Sequence, residues 1–95
     1  MPSYVLLVNL TDHGRKTVRD NPGRIKEVNA EMEAMGVTIK DQYAVFGPYD
    51  FISILEAPDD GVLTKALIQL ASRGTASSMT LPATPTEEWV KRLGG

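Results

Sequence analysis

Two short segments of this chain are apolar at consecutive positions, and this pattern limits what the chain can fold into. Residues 4–10 read YVLLVNL and residues 51–57 read FISILEA, and both compositions favour β-strands. Successive side chains of a strand point to opposite sides of a sheet. Both predicted strands therefore carry apolar side chains on both faces, so that a sheet built from them needs cover on both faces.

The segment between these strands predicts helical structure. Gly14–Asp20 is expected to be a short helix or turn, which Asn21-Pro22-Gly23 interrupts because the residue before a proline disfavours helical backbone. The main helix is expected to restart with Asn21 as its N-cap and to stop at Gly36. Its inward residues recur at helical spacing, at Ile25, Val28, Met32 and Met35.

Two further strands are predicted from alternation and from position. Val37, Ile39, Tyr43 and Val45 alternate with more polar residues, and Asp41 interrupts their apolar face, which predicts either a bulge or a special partner for Asp41. Residues 75–81 form a weaker, polar run that suits an edge strand.

Two more helices complete the predicted pattern. One opens at Pro58-Asp59-Asp60, where the two carboxylates are explained as an N-cap and a partner of the helix dipole, and a metal site is not expected. A short terminal helix carries Trp89.

The element order indicates an α+β fold in a single domain of 95 residues. The order βαββαβ with a terminal helix predicts a split βαβ sandwich, with an antiparallel sheet in the order 4-1-3-2 and both main helices on one face. The other face then needs a cover. In a chain this short we expect that cover to be a second copy, packed sheet to sheet.

The turn between the second and third strands carries a family signature. It reads FGPYDF over residues 46–51, and Gly47 with Tyr49-Asp50 resembles the pattern that names the GYD-domain family. Three other segments are also similar to that family, namely residues 14–24, 56–60 and 74–81. The resemblance runs almost end to end. It implies a ferredoxin-like domain of the dimeric α+β barrel type over residues 1–95, and it implies no particular reaction.

Composition excludes several classes of function. A net charge of -2, a pI near 5.3 and basic residues interspersed with acidic ones argue against binding to nucleic acid. No apolar run approaches the roughly 20 residues that span a bilayer, and no export signal is recognisable. With no cysteine in the chain, a cytoplasmic location is expected. No cofactor motif is present, and no cofactor is expected.

The predicted topology gathers polar residues at one edge of the sheet. The loop after the first strand, the turn between the second and third strands and the end of the second main helix all lie there. We predict that a small molecule binds at this edge, which gathers Thr11, Asp12, His13, Tyr49, Asp50 and Arg73. The candidate ligand-binding residues are Thr11, His13, Tyr43, Tyr49 and Asp50.

His13 and Asp50 are the candidates for catalysis at this edge. His13 is the one histidine of the chain, and its side chain ordinarily titrates near neutral pH. Structural roles compete with both assignments. A histidine in a Thr-Asp-His-Gly loop is more often a surface residue, and an aspartate at the start of a strand readily accepts backbone N–H groups. Arg24 matches an arginine of the family pattern, for which an anionic ligand and an ion pair are the alternatives.

Three functions stay open from the sequence. The leading interpretation is a homo-oligomeric protein of the GYD family that binds a small molecule or has an accessory or regulatory role. The alternative is a cofactor-independent monooxygenase- or isomerase-like enzyme of the dimeric α+β barrel type. A structural assembly module is the third. An enclosed apolar cavity with converging polar groups would favour binding or catalysis, whereas a filled interior would favour the structural role.

Overall fold

The computed structural model describes residues 1–95 as four strands and four helices. In chain order they are β1 (Ser3–Leu10), α1 (Asp12–Asp20), α2 (Arg24–Ala34), β2 (Thr38–Ala44), β3 (Phe51–Glu56), α3 (Asp60–Ala71), β4 (Ala76–Ala83) and α4 (Thr86–Arg92). The strands form one antiparallel sheet in the order β2-β3-β1-β4, which reads 4-1-3-2 from the opposite edge. The protein is therefore a small α+β fold with β1 and β3 at the centre of its sheet.

The helical region after β1 is divided into two helices at Pro22, as predicted, but the residues that cap these helices differ from the prediction. α1 begins two residues early, at Asp12, because the Thr11 hydroxyl accepts a hydrogen bond from the Gly14 N–H at 3.1 Å. The assignment of Asn21 as the N-cap of the main helix is wrong. Its N–H bonds to the Thr17 carbonyl at 2.8 Å and so extends the hydrogen bonds of α1, and Gly23 precedes α2 without a side-chain cap.

The start of α3 follows the sequence prediction. Asp59 is the N-cap, and its carboxylate accepts a hydrogen bond from the Val62 N–H at 2.8 Å. Asp60 lies in the first turn and accepts a hydrogen bond from the Tyr4 hydroxyl. This bond ties the central strand β1 to α3, and together with burial it raises the pKa of Tyr4 above its usual value.

The hydrophobic core lies between the sheet and one layer of helices. Its buried members come from β1, β3, α2, α3 and the residues next to the strands: Tyr4, Leu6, Met32, Val37, Leu55, Ala57, Leu63 and Ala66. Leu55 and Val37 are fully enclosed. The even-numbered residues of β1 and the odd-numbered residues of β3 therefore form the face that the helices cover.

A bulge in β2 changes which face its aromatic residue occupies. Ile39 pairs with Leu55 of β3, but the next paired residue is Asp41, opposite Ile54, so Lys40 is the extra residue. The predicted bulge is thus confirmed. Simple alternation predicts that Tyr43 lies on the same face as Ile39, and this prediction is wrong. The inserted residue moves all later side chains of β2 to the opposite face, so Tyr43 lies on the face opposite to Ile39.

The second face of the sheet has no helix over it, and we call it the open face. Direct cross-strand pairs place seven apolar side chains on it: Val5, Leu7, Tyr43, Ile52, Ile54, Met79 and Leu81. Tyr43 is 63% exposed and Met79 is 51% exposed, and the residues of the central strands are partly exposed. The expectation that both faces are apolar is confirmed, and the odd-numbered residues of β1 are the uncovered ones.

Candidate functional site

A cavity of about 110 Å³ lies between the sheet and the helices α1 and α2. We call it the helix–sheet cavity. Most of its lining is aliphatic or aromatic and comes from both layers, including Leu6, Val8, Val18, Ile25, Val28 and Phe51. The interior of this fold is therefore not completely filled, which is the feature that favours a binding function over a purely structural one.

Three polar side chains from three different elements meet in the wall of the cavity. Asn29 of α2 and Gln42 of β2 form a reciprocal amide pair, with Asn29 Nδ2 donating to Gln42 Oε1 at 2.7 Å and Gln42 Nε2 donating to Asn29 Oδ1 at 3.2 Å. Gln42 Nε2 also donates to Ser53 Oγ of β3 at 3.2 Å. Both hydrogens of the Gln42 amide are thus used, and the chain of hydrogen bonds ends at Ser53.

Ser53 is the most enclosed polar residue of the protein. It is 1% exposed and lies in the middle of a central strand, opposite Leu6 and Gln42. A hydroxyl group can donate one hydrogen bond and accept two. The hydroxyl of Ser53 accepts from Gln42, and no protein group accepts its proton. The cavity wall therefore presents a buried donor that a hydrogen-bond acceptor can satisfy.

Two arginines at the cavity form ion pairs with carboxylates of α2. Arg24 Nη1 lies 3.0 Å from Glu27 Oε2 and 3.5 Å from Glu31 Oε1, and Arg73 Nη1 contacts the second oxygen of Glu31. The Arg73 contact is an ion pair that lacks hydrogen-bond alignment, because both of its atoms have no hydrogen-bond partner in the structure. The Arg73 guanidinium, with Arg24 beside it, holds the pKa of the Glu31 carboxyl below its usual value, although partial burial acts in the opposite direction.

The sheet edge predicted to bind a ligand does bring two of its residues into contact with neighbouring segments. The Asp50 carboxylate accepts a hydrogen bond from the Leu10 N–H at 2.8 Å and lies 3.6 Å from Arg15 Nη2. The Thr11 hydroxyl donates to the Gly74 carbonyl at 2.7 Å while it caps α1. These polar groups therefore fasten β1 to the β2–β3 turn and to the end of α3.

The other three predicted site residues lie apart from one another. His13 is exposed in the first turn of α1, where its backbone carbonyl accepts from the Thr17 hydroxyl. The Tyr49 hydroxyl lies 4.0 Å from the sulfur of Met79, at the open face. Tyr43 is on the open face as well. Ligand binding by these residues, and catalysis by His13 or Asp50, stay predictions.

Sequence reasoning missed the polar residues of the helix–sheet cavity. A signal for them existed, because Ser53 interrupts the inward positions of β3 between Phe51 and Leu55. Asn29 likewise lies one helical turn after Ile25, on the side of α2 that lines the cavity. The position of Gln42 could not be predicted from the sequence, because it depends on the bulge. The bulge places the Gln42 amide on the same face of the sheet as Ser53.

Metal-ligand clusters and membrane-spanning helices are both absent from the structure. No three His, Cys, Asp or Glu side chains are grouped closely enough to hold a metal ion. None of the helices combines the length and the apolar character needed to cross a membrane.

Comparisons with known proteins agree with the signature of the β2–β3 turn. The profile of the GYD domain family matches residues 4–93. A curated protein of Thermus thermophilus, named glutamine synthetase and cystathionine beta-lyase binding protein, is 48% identical over 94 residues, which cover 98% of this chain and 99% of that protein.

Solved structures with low sequence identity show a similar fold. The crystal structure of TTHA0845 from Thermus thermophilus superposes with a TM-score of 0.58 at 18% identity, over 90% of this chain and 95% of that one. The crystal structure of a hypothetical protein, PHS023 from Pyrococcus horikoshii, gives a TM-score of 0.51 at 20% identity, over 88% of this chain and 93% of that one. At these identities the likeness concerns the fold alone.

Proposed function

The chain belongs to the GYD domain family, and from this premise we propose that it is an accessory binding protein that works as a homo-oligomer and by contact with other proteins. The open face is the observation that carries this proposal. Apolar patches of this kind on small proteins mark association surfaces. Seven apolar side chains on one side of a four-stranded sheet make such a patch.

A second copy of the chain is the occupant that suits the open face. The face is apolar in the two central strands and carries its acidic side chains at the rim, as in Asp41 and Glu56. A two-fold axis through its centre would place like apolar residues against each other and would keep the carboxylates near solvent. The result would be the dimeric α+β barrel that the sequence led us to expect.

The terminal helix α4 offers a further surface for the same association. None of its residues is buried, and Trp89 and Val90 are exposed, as is Leu93 directly after the helix. The helix follows β4, which contributes Met79 and Leu81 to the open face. Burial of the Trp89 ring against a partner copy would remove a large apolar area from water. We therefore assign α4 to the same assembly.

The partner proteins are proposed from the relative in Thermus thermophilus. Its name says that it binds glutamine synthetase and cystathionine beta-lyase, and its sequence aligns with nearly the whole of this chain. We propose that this chain binds the corresponding enzymes of its own organism. Such a role needs a stable surface and no catalytic group.

An enzymatic function receives less support from the cavity. The ionisable groups in its lining are the guanidinium groups of Arg24 and Arg73. Arginine stays protonated at neutral pH and does not serve as a general acid or base. His13 is exposed on α1 and does not line the cavity. We therefore rank binding above catalysis.

Biolayer interferometry with the immobilised protein tests the accessory role. Purified glutamine synthetase and cystathionine beta-lyase from the same organism are the analytes, and an unrelated oligomeric enzyme is the negative control. We expect saturable binding of at least one of the two enzymes. Equal signals from the two enzymes and the unrelated control would contradict the proposal.

A pair of isoleucine substitutions separates association from partner binding. Ile54→Lys places a charge on the open face, whereas Ile68→Lys changes an isoleucine that is 66% exposed on α3. Sedimentation of each variant, run beside the binding assay, shows whether enzyme binding depends on the homo-oligomer.

A further inference from the structure

We infer that the helix–sheet cavity binds a small, neutral, mostly apolar molecule with one hydrogen-bond acceptor, which accepts the proton of the Ser53 hydroxyl. This site lies inside a single chain, so the inference goes beyond the proposed association at the open face. Three separate observations restrict the size, the polar group and the charge of the ligand. They are the volume of the cavity, the buried donor and the compensated charges beside the cavity.

The size of the cavity restricts the ligand first. One water molecule needs roughly 10–15 Å³ of such space, and an engineered apolar cavity of about 150 Å³ holds benzene. The helix–sheet cavity, at about 110 Å³, lies between these values and nearer to the second. It suits a compact molecule with about six non-hydrogen atoms. Aliphatic side chains such as Leu6, Val8 and Ile25 form most of the wall, so most of that molecule must be apolar.

Ser53 restricts the polar part of the ligand. Its hydroxyl is buried, and its oxygen already accepts a hydrogen bond from Gln42. The proton of this hydroxyl group has no acceptor in the protein. A buried donor without a partner destabilises the folded protein, and a ligand acceptor would remove that penalty. A carbonyl oxygen is the simplest acceptor of the required size.

The amide pair leaves the proton of Ser53 as the unpaired part of the hydroxyl group. Asn29 and Gln42 hold each other through two hydrogen bonds, and the second hydrogen of the Gln42 amide points at Ser53 Oγ. Gln42 uses one of the two lone pairs of that oxygen, and the hydroxyl proton has no acceptor in the protein, so the hydroxyl is available to the cavity as a donor. A ligand that offers only N–H or O–H groups would leave this proton without an acceptor.

The charges beside the cavity restrict the ligand to a neutral molecule. Arg24 and Arg73 are the cationic groups of the lining, and Glu27 and Glu31 contact them directly. Two carboxylates thus compensate two guanidinium groups. An anionic ligand would have to compete with Glu31 for both arginines, whereas a neutral carbonyl compound would leave these ion pairs intact.

The test compares two probes of nearly equal shape by NMR titration of the 15N-labelled protein. Cyclopentanone carries the acceptor, and cyclopentane lacks it. We expect cyclopentanone to bind more tightly and to shift the amide signals of Asn29, Gln42 and Ser53. Isobutyrate serves as the anionic probe and is expected to bind more weakly than cyclopentanone.

Ser53→Ala is the decisive variant, and Ser78→Ala is its matched control on the exposed part of β4. We expect Ser53→Ala to weaken cyclopentanone binding by about 3- to 10-fold, in keeping with the loss of one hydrogen bond, and to leave cyclopentane binding unchanged. Ser78→Ala should alter neither. The preference for the ketone would then disappear in one variant and persist in the other.

Val28→Phe provides a second variant that does not depend on Ser53. Its larger side chain is expected to fill the cavity and to abolish the binding of both probes, while the amide spectrum stays that of a folded protein. The inference is overturned if the wild type binds neither probe, if cyclopentane binds as tightly as cyclopentanone, if the ketone preference survives Ser53→Ala, or if isobutyrate binds best. None of these results depends on the oligomeric state.

Discussion

The two faces of the sheet are built from the same strands, yet helices cover only one of them. Leu55 and Ile54 are neighbours in β3, and both are large and aliphatic. Leu55 faces the helices and is completely buried, whereas Ile54 faces the other way and stays partly exposed. The chain has helices enough to cover one face only.

The contrast shows where the stability and the interactions of this protein reside. The covered face supplies the core that a 95-residue chain needs, together with a small cavity. The open face has no helix packed on it, although its composition is that of an interior. The association proposed above would account for its apolar residues.

The largest effect is expected from truncation on the covered face. Leu55→Ala should lower the free energy of unfolding by about 2–5 kcal/mol, because it leaves a cavity in a site with no solvent contact. Urea denaturation at a fixed protein concentration measures this. Ile54→Ala is the neighbouring control and should cost clearly less. Equal losses in the two variants would remove the distinction between the faces.

A smaller effect is expected at the turn that sets the register of β2 and β3. Gly47 has φ +112°, which other residues rarely adopt, and no atom lies within 4 Å of the position that an added Cβ would take. Gly47→Val should therefore destabilise through backbone strain alone, by about 1–3 kcal/mol.

Gly23→Ala is the control for that variant, since Gly23 has φ -63°. Thermal unfolding of both variants compares them. An unchanged melting temperature in Gly47→Val would show that the turn relaxes and does not hold the register.

A pH-dependent effect is expected at the side of the cavity. The pKa of Glu31 is lowered by Arg73, so its contribution to stability is present above the ordinary pKa of a glutamate, near 4.5, and is lost as the pH falls through the lowered value. The wild type should therefore lose more stability between pH 6 and pH 3 than Glu31→Gln does. Glu33→Gln, at an exposed position of the same helix, should behave like the wild type. Parallel pH profiles for all three proteins would contradict the assignment.

Much of the fold was predictable because its signals are local. The apolar runs of β1 and β3, the proline between α1 and α2 and the Asp59 cap each lie within a few residues of the feature that they determine. The face occupied by Tyr43 was not predictable in this way. Asp41 indicated a bulge, but which residue is extra depends on the pairing with β3.

The candidate site was harder to predict, because it depends on distances between elements. Topology did bring Thr11 and Asp50 to one edge of the sheet, where both bond to backbone groups. The cavity polar groups come from α2, β2 and β3. Ser53 was visible as a polar residue in an apolar strand, but its free proton follows only from the three-dimensional placement of Gln42.

Sedimentation equilibrium at micromolar concentration tests the central claim, which is that the open face is covered by a second copy. The account predicts a wild-type mass of at least twice 10.4 kDa, a shift toward 10.4 kDa in Ile54→Lys and in Met79→Lys, and no shift in Ile68→Lys. A wild-type protein that is stably folded and sediments as a monomer of 10.4 kDa would contradict it.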